Sequence, residues 1–129
     1  MSADERRFAS DQVTERIIGS AYRVSNALGV GFLEKVYENA LRHELQKQGL
    51  NVQQQAPVSV VYDGVCVGEY FIDLLVEGVV VVELKHAKSL SDAHLAQCLN
   101  YLKATSKSLA LLINFGNPRV EIRRVVHNH

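Results

Sequence analysis

The chain has 129 residues, 47% of them hydrophobic, which suits one domain with a core of its own. Fourteen lysines and arginines balance fourteen aspartates and glutamates, so the broad basic excess of a general nucleic-acid binder is absent. No apolar stretch reaches the ~18 residues of a membrane span, and the charged start, Met1 to Gln12, lacks the apolar stretch of a signal peptide.

The polar ends, residues 1–10 and 127–129, are expected to be flexible. From Asp11 the apolar residues Val13, Ile17, Ala21, Val24 and Leu28 recur at steps of three and four, predicting a helix. Gly29-Val30-Gly31 breaks it. A second helix is predicted from Leu33 to Gln48 on Val36, Tyr37, Ala40, Leu41 and Leu45, with Gly49 as its stop. Pro57 to Tyr62 has β character, and Asp63-Gly64 is a hairpin signal. A return strand runs from Val65 to about Val76, and Val79 to Lys85 makes a third strand. Ser89 to Thr105 predicts a helix capped by Ser89 or Ser91, with Leu95, Leu99 and Leu102 as its buried stripe. Ser108–Phe115 and Val120–Val126 are the last strands, separated by the Asn117-Pro118 turn. The predicted order is α-α-β-β-β-α-β-β, a single α/β domain with a mixed sheet flanked by helices.

Cys66 and Cys98 stand in no C-x-x-C pair, which argues against a zinc ribbon. Two unpaired thiols and no leader segment give a cytoplasmic protein as the expectation. Lys103, Lys107, Arg119, Arg123 and Arg124 are the residues available for a local basic patch.

Chemistry concentrates between Phe71 and Lys85. This stretch is apolar nearly throughout, yet Asp73, Glu83 and Lys85 lie inside or at the ends of its strands. A buried charge is costly unless it is paired, hydrogen-bonded or bound to metal. Alternation puts Glu83 and Lys85 on one face. A two-residue loop at Glu77-Gly78 would pair Asp73 with Val82 and send it to the other face. A three-residue loop, Val76-Glu77-Gly78, pairs Asp73 with Val81 and makes Glu83 its diagonal neighbour, ~7–8 Å away between Cα atoms. The glycine in third place favours the second register. Two carboxylates so placed, with the backbone carbonyl of Leu84, offer the hard oxygen donors that Mg2+ or Mn2+ prefers. Lys85 would then orient a water or balance charge on a phosphate. The plainer alternative, a solvated ion pair of Glu83 and Lys85, stands beside this reading.

Asp73 followed by Glu83-Leu84-Lys85 resembles the D…(D/E)xK signature of the restriction-endonuclease-like PD-(D/E)xK nuclease superfamily. Gly31-Phe32-Leu33-Glu34-Lys35-Val36-Tyr37 is similar to the GxxExxY signature of the small bacterial proteins named after it, a family classed in the same superfamily. The likeness runs from about Thr14 to Val126. Ile72 stands where the superfamily's name has proline, a position that bears no ligand. The resemblance implies metal carboxylates at Asp73 and Glu83, a catalytic lysine at Lys85, and a helix glutamate at Glu34 that reaches the metal directly or through water. It also implies a site glutamine at Gln97, one turn from Tyr101.

Each assignment keeps a structural alternative. Glu34 suits the first turn of any helix, Gln97 can be a polar edge of a buried stripe, Tyr37 suits a core or hydrogen-bonding role, Gly31 serves the turn, and His86 points away from Lys85. The functional expectation is a Mg2+-dependent phosphodiesterase acting on nucleic acid, DNA first. A homodimer or larger complex is a further option for holding a duplex. The alternative from another class is a non-catalytic protein-interaction module on a nuclease-like scaffold.

Overall fold

The computed structural model describes residues 2–128. Its elements are α1 (Ala3–Leu28), α2 (Glu34–Lys47), β1 (Val52–Tyr62), β2 (Val65–Val76), β3 (Val80–Lys85), α3 (Asp92–Thr105), β4 (Leu109–Asn114) and β5 (Glu121–Val126). The order is the one the sequence predicts. The five strands lie side by side in chain order. β1, β2 and β3 are antiparallel neighbours, β3 and β4 run parallel across the α3 crossover, and β5 returns antiparallel. β3 and β4 are the middle of the sheet, which explains their unbroken runs of buried residues.

Two apolar layers sandwich the sheet. On one face Ile17, Ala21 and Val24 of α1 and Tyr37, Leu41 and Leu45 of α2 pack on Leu74, Val80, Val82, Leu84 and Leu111. On the other, Cys98 and Leu102 of α3 pack on Ala56, Val58, Ile72, Val81, Ala110 and Leu112. Period-2 alternation along β3 therefore sends Val80, Val82 and Leu84 toward α1 and α2, and Val81, Glu83 and Lys85 toward α3.

Several boundaries differ from the sequence reading. The helix begins at Ala3, capped by the Ser2 hydroxyl, so most of the segment expected to be flexible is helical. Met1 and His129, placed in the same flexible ends, lie outside the described residues. β1 begins at Val52, five residues before Pro57, because three glutamines extend it. α2 ends as expected: Gly49 has φ 82°, and the amides of Gly49 and Leu50 bond back to Gln46 and Leu45.

The β2–β3 turn corrects both registers considered from sequence. Val76 pairs with Val80, so the loop is Glu77-Gly78-Val79. Glu77 and Gly78 both have positive φ (54° and 67°), and the Val79 amide bonds to the Val76 carbonyl. Val79 is then one extra residue before the ladder resumes. A glutamate at positive φ is unusual, and here it is tethered. Glu77 donates its amide to the Asn51 carbonyl (2.8 Å), while its carboxylate accepts from the Asn51 amide (2.7 Å). The consequence is that Asp73 falls directly opposite Glu83, not diagonal to it.

Candidate active site

Asp73 and Glu83 meet where β2 and β3 part. The ladder ends at Leu74↔Val82. One residue further, backbone pairing gives way to side chains. The Asp73 amide donates to Glu83 Oε1 (3.2 Å), and the Leu84 amide donates to Asp73 Oδ2 (2.8 Å). Each carboxylate thus takes an amide from the other's strand, and the two acidic groups wedge the strand ends apart. The notch opens at the carboxyl end of β3, a strand with a parallel neighbour, which is where open α/β sheets place their ligands.

Glu83 is buried at 4% exposure. Burial first, and then the Asp73 charge, push its carboxyl up to about 8. Asp73 is raised mainly by burial, against the opposing hydrogen bond from Leu84. Two acidic groups forced together this way call for positive charge. Lys85 Nζ does not bond to either; it donates to Gln97 Oε1 (2.8 Å) on α3. The residue types fit a hard divalent ion: both side chains donate oxygen, and the Leu84 backbone is pinned beside them by its amide. Among the described residues, no three His, Cys, Asp or Glu side chains are gathered tightly enough to hold a metal by themselves. Backbone carbonyl and water oxygens would complete the shell.

Glu34 opens α2 and is solvent-exposed. Partial desolvation and then the Asp73 charge raise its carboxyl, with Lys85 pulling the other way, so it borders the notch. Tyr37 takes the structural role. It is fully buried, donates to the Gly29 carbonyl (2.6 Å), accepts from the Phe32 amide (3.3 Å) and stacks on Phe115 at 5.0 Å. It fastens the turn that aims Glu34. Gly31 has φ 110°, as a turn glycine should.

Three supporting residues escaped sequence reasoning. Glu38, one turn after Glu34, is 3% exposed. Burial raises its carboxyl, but bonds from Gln54, Lys35 and Gln55 outweigh this and hold it below its ordinary value. Gln55 Nε2 bridges both Glu38 oxygens (3.2 and 3.1 Å) and Asp73 Oδ1 (3.3 Å). Its backbone sits at φ 54°. That left-handed residue turns the strand over: Val52 packs toward α1 and α2, whereas Ala56 and Val58 pack toward α3. Strain of this kind persists where neighbours over-determine it. Asn114, fully buried, clamps the segment after Lys85: it accepts from the Ala87 amide and donates to the Ala87 carbonyl, both at 2.9 Å. Gly116 approaches Ala87 so closely that a β-carbon would collide with its backbone.

Both cysteines are free thiols, Cys66 exposed and Cys98 buried. Of the basic residues, Arg124 pairs with Asp11, Arg123 alternates away from Arg124 along β5, and Lys103 lines the space between α3 and the β1–β2 hairpin. No described helix is long and apolar enough to cross a membrane.

No curated protein matches the chain. Among solved structures it is similar to one described as "Crystal structure of SSO0001", with a TM-score of 0.55 at 18% identity. The match covers 95% of this chain and 61% of that one, so the chain spans about three fifths of that protein's length. At that identity the likeness shows the fold alone; the mixed five-stranded sheet flanked by helices is consistent with the restriction-endonuclease-like fold of the family that the chain matches. A family model described as "PD-(D/E)XK nuclease superfamily" matches residues 11–125. The chain therefore belongs to the PD-(D/E)XK nuclease superfamily.

Proposed function

We propose that the protein is a Mg2+- or Mn2+-dependent phosphodiesterase acting on nucleic acid, DNA first, in the cytoplasm. The observation that carries this reading is the reciprocal Asp73–Glu83 wedge, with Lys85 two residues beyond it on the same face. Nucleases of the superfamily generally use divalent metals.

In this reading Asp73, Glu83 and the Leu84 carbonyl would hold the ion, and Glu34 would reach it directly or through water. The bound ion supplies Lewis-acid polarisation of the phosphate and lowers the pKa of a water. Lys85 places its ammonium against the phosphate oxygens or the attacking water, and Gln97 holds that ammonium in position. Gln55 and Glu38 fix the Asp73 carboxylate from behind. The segment Gly31 to Tyr37 supports assignment to the GxxExxY group within the superfamily, because its glutamate borders the notch and its tyrosine secures the turn.

The test is cleavage of labelled single-stranded, duplex, flap and RNA substrates in Mg2+ and Mn2+. Lys85→Ala and Glu83→Gln proteins, shown to be folded, run alongside. Loss of metal-dependent cleavage in both supports the mechanism; a Lys85→Ala protein as active as wild type sinks it. A non-catalytic interaction module has one observation in its favour, the exposed apolar side chains of Val30, Phe32, Leu33 and Val36 beside Glu34. Absence of both metal binding and cleavage, together with capture of a stable partner, would move the assignment there. Light scattering decides whether a homodimer or larger complex is the active form.

A further inference from the structure

A groove of about 830 Å3 runs between the outer part of the β1–β2 hairpin and α3. Alanines 93, 96 and 104 keep the α3 wall low. Tyr70 of β2 and Tyr101 of α3 meet in it, with ring centroids 5.8 Å apart and planes tilted by 53°. Asn100 and Gln97 add side-chain amides, and Lys103 adds a cation. None of the described lining residues is acidic. Gln97 belongs to the groove and also accepts the bond from Lys85 Nζ, so the groove leads directly to the carboxylate notch.

Resting on the nuclease reading, we propose that this groove holds an unpaired stretch of nucleic-acid strand, with a base lodged against Tyr70 and Tyr101 next to the phosphate to be cut. Charge decides between occupants. Duplex binding draws its affinity from phosphates neutralised by many cations, and the groove offers one lysine, with Lys85 at its end, in a chain of zero net charge. Stacking on an aromatic ring adds a contribution per base that does not come from phosphate neutralisation, and it accepts any base. The volume falls within the ~300–1,000 Å3 range of small-ligand pockets, room for a nucleotide rather than a double helix. The amides of Asn100 and Gln97 can bond to base edges that only an unpaired strand exposes. Tyr70 is 49% exposed, which leaves its ring available for stacking.

The experiment uses the full chain with a single-stranded oligonucleotide and a blunt duplex of the same sequence. Binding is read by anisotropy in Ca2+ and cleavage in Mg2+, for wild type, Tyr70→Ala, Tyr101→Ala and the two Tyr→Phe variants. The expected result is tighter binding of the single strand. Either alanine variant should bind it on the order of 10-fold more weakly, the phenylalanine variants should restore it, and metal titration should stay unchanged. Salt dependence should be shallow, with a log–log slope of about −1 to −2 for two lysine contacts. Equal binding of duplex and single strand, or alanine variants that bind and cut like wild type, would overturn the groove proposal while a Lys85-dependent activity left the nuclease reading standing. A wild-type dimer that Tyr70→Ala splits into monomers would give the groove to a second copy and overturn it equally. No binding and no cleavage of any nucleic acid removes both.

Discussion

Removing the charge from Glu83 should stabilise the metal-free protein. The perturbation is Glu83→Gln, which keeps an oxygen to accept the Asp73 amide and removes the carboxylate charge. The Glu83 carboxyl is pushed up to about 8, from 4.5, by burial and by Asp73. A carboxyl with a raised folded-state pKa favours the fold fully below its unfolded value, near pH 4.5. That contribution is lost as pH rises through 8. The span of 8 − 4.5 sets a ceiling of about 4 kcal/mol at pH 8. Water reaches the half-buried Asp73 side of the pair, so about 2 kcal/mol is the working expectation. Urea unfolding followed by circular dichroism, in EDTA at pH 5, 6, 7 and 8, reads this as a midpoint about 1 M higher for the variant at pH 8 and near-coincidence at pH 5. Mg2+ should then raise the wild-type midpoint at pH 8, where the Glu83 proton is readily displaced, and leave the variant's unmoved, because glutamine lacks the carboxylate that would hold the ion. Curves that stay parallel from pH 5 to 8, or a variant less stable than wild type at pH 8, would refute the reasoning.

Three further outcomes follow from the supporting residues. Asn114→Leu strands the Ala87 amide and carbonyl and should cost about 2–3 kcal/mol, seen as a lower melting temperature and a larger loss of cleavage than of stability. Tyr37→Phe keeps the stacking on Phe115 but loses the bonds to Gly29 and Phe32; it should cost about 1–2 kcal/mol by denaturant titration. A thiol reagent at pH 8 should modify only Cys66 in the native protein, because burial, with the Glu83 charge adding to it, pushes the Cys98 thiol up to about 12. Prompt modification of two thiols would contradict the packing of α3.

The order of elements was legible because apolar periodicity changes sharply between 3.6 and 2 along the chain, and Gly49 and Asp63-Gly64 mark real ends. Asp73, Glu83 and Lys85 were legible as charges inside apolar strands. Their register was not. Glycine at 78 suggested where the left-handed residue would fall, but Glu77 shares that conformation, held by Asn51 from 26 positions away. Gln55 was hidden because a polar triplet before Pro57 looks like a loop. Its buried partner Glu38 sits on a helix where a glutamate ordinarily faces water. Asn114 left the one usable trace, a polar residue closing the run Leu109 to Ile113 in a strand buried throughout.

The two acidic groups belong to neighbouring strands of one hairpin, the lysine ends the second of these strands, and its glutamine partner lies on the next helix. All four side chains come from a single contiguous stretch of about 25 residues, Asp73 to Gln97. A centre whose chief groups are written so locally can survive wide divergence elsewhere: α1 need only keep its apolar stripe, while α2 must also keep Glu34, Tyr37 and Glu38. Substitutions should therefore accumulate most freely in α1, β5 and the tip of the β1–β2 hairpin. The strand positions between Asp73 and Glu83 tolerate no insertion: one residue added within β2 or β3 there would turn one acidic group to the opposite side of the sheet.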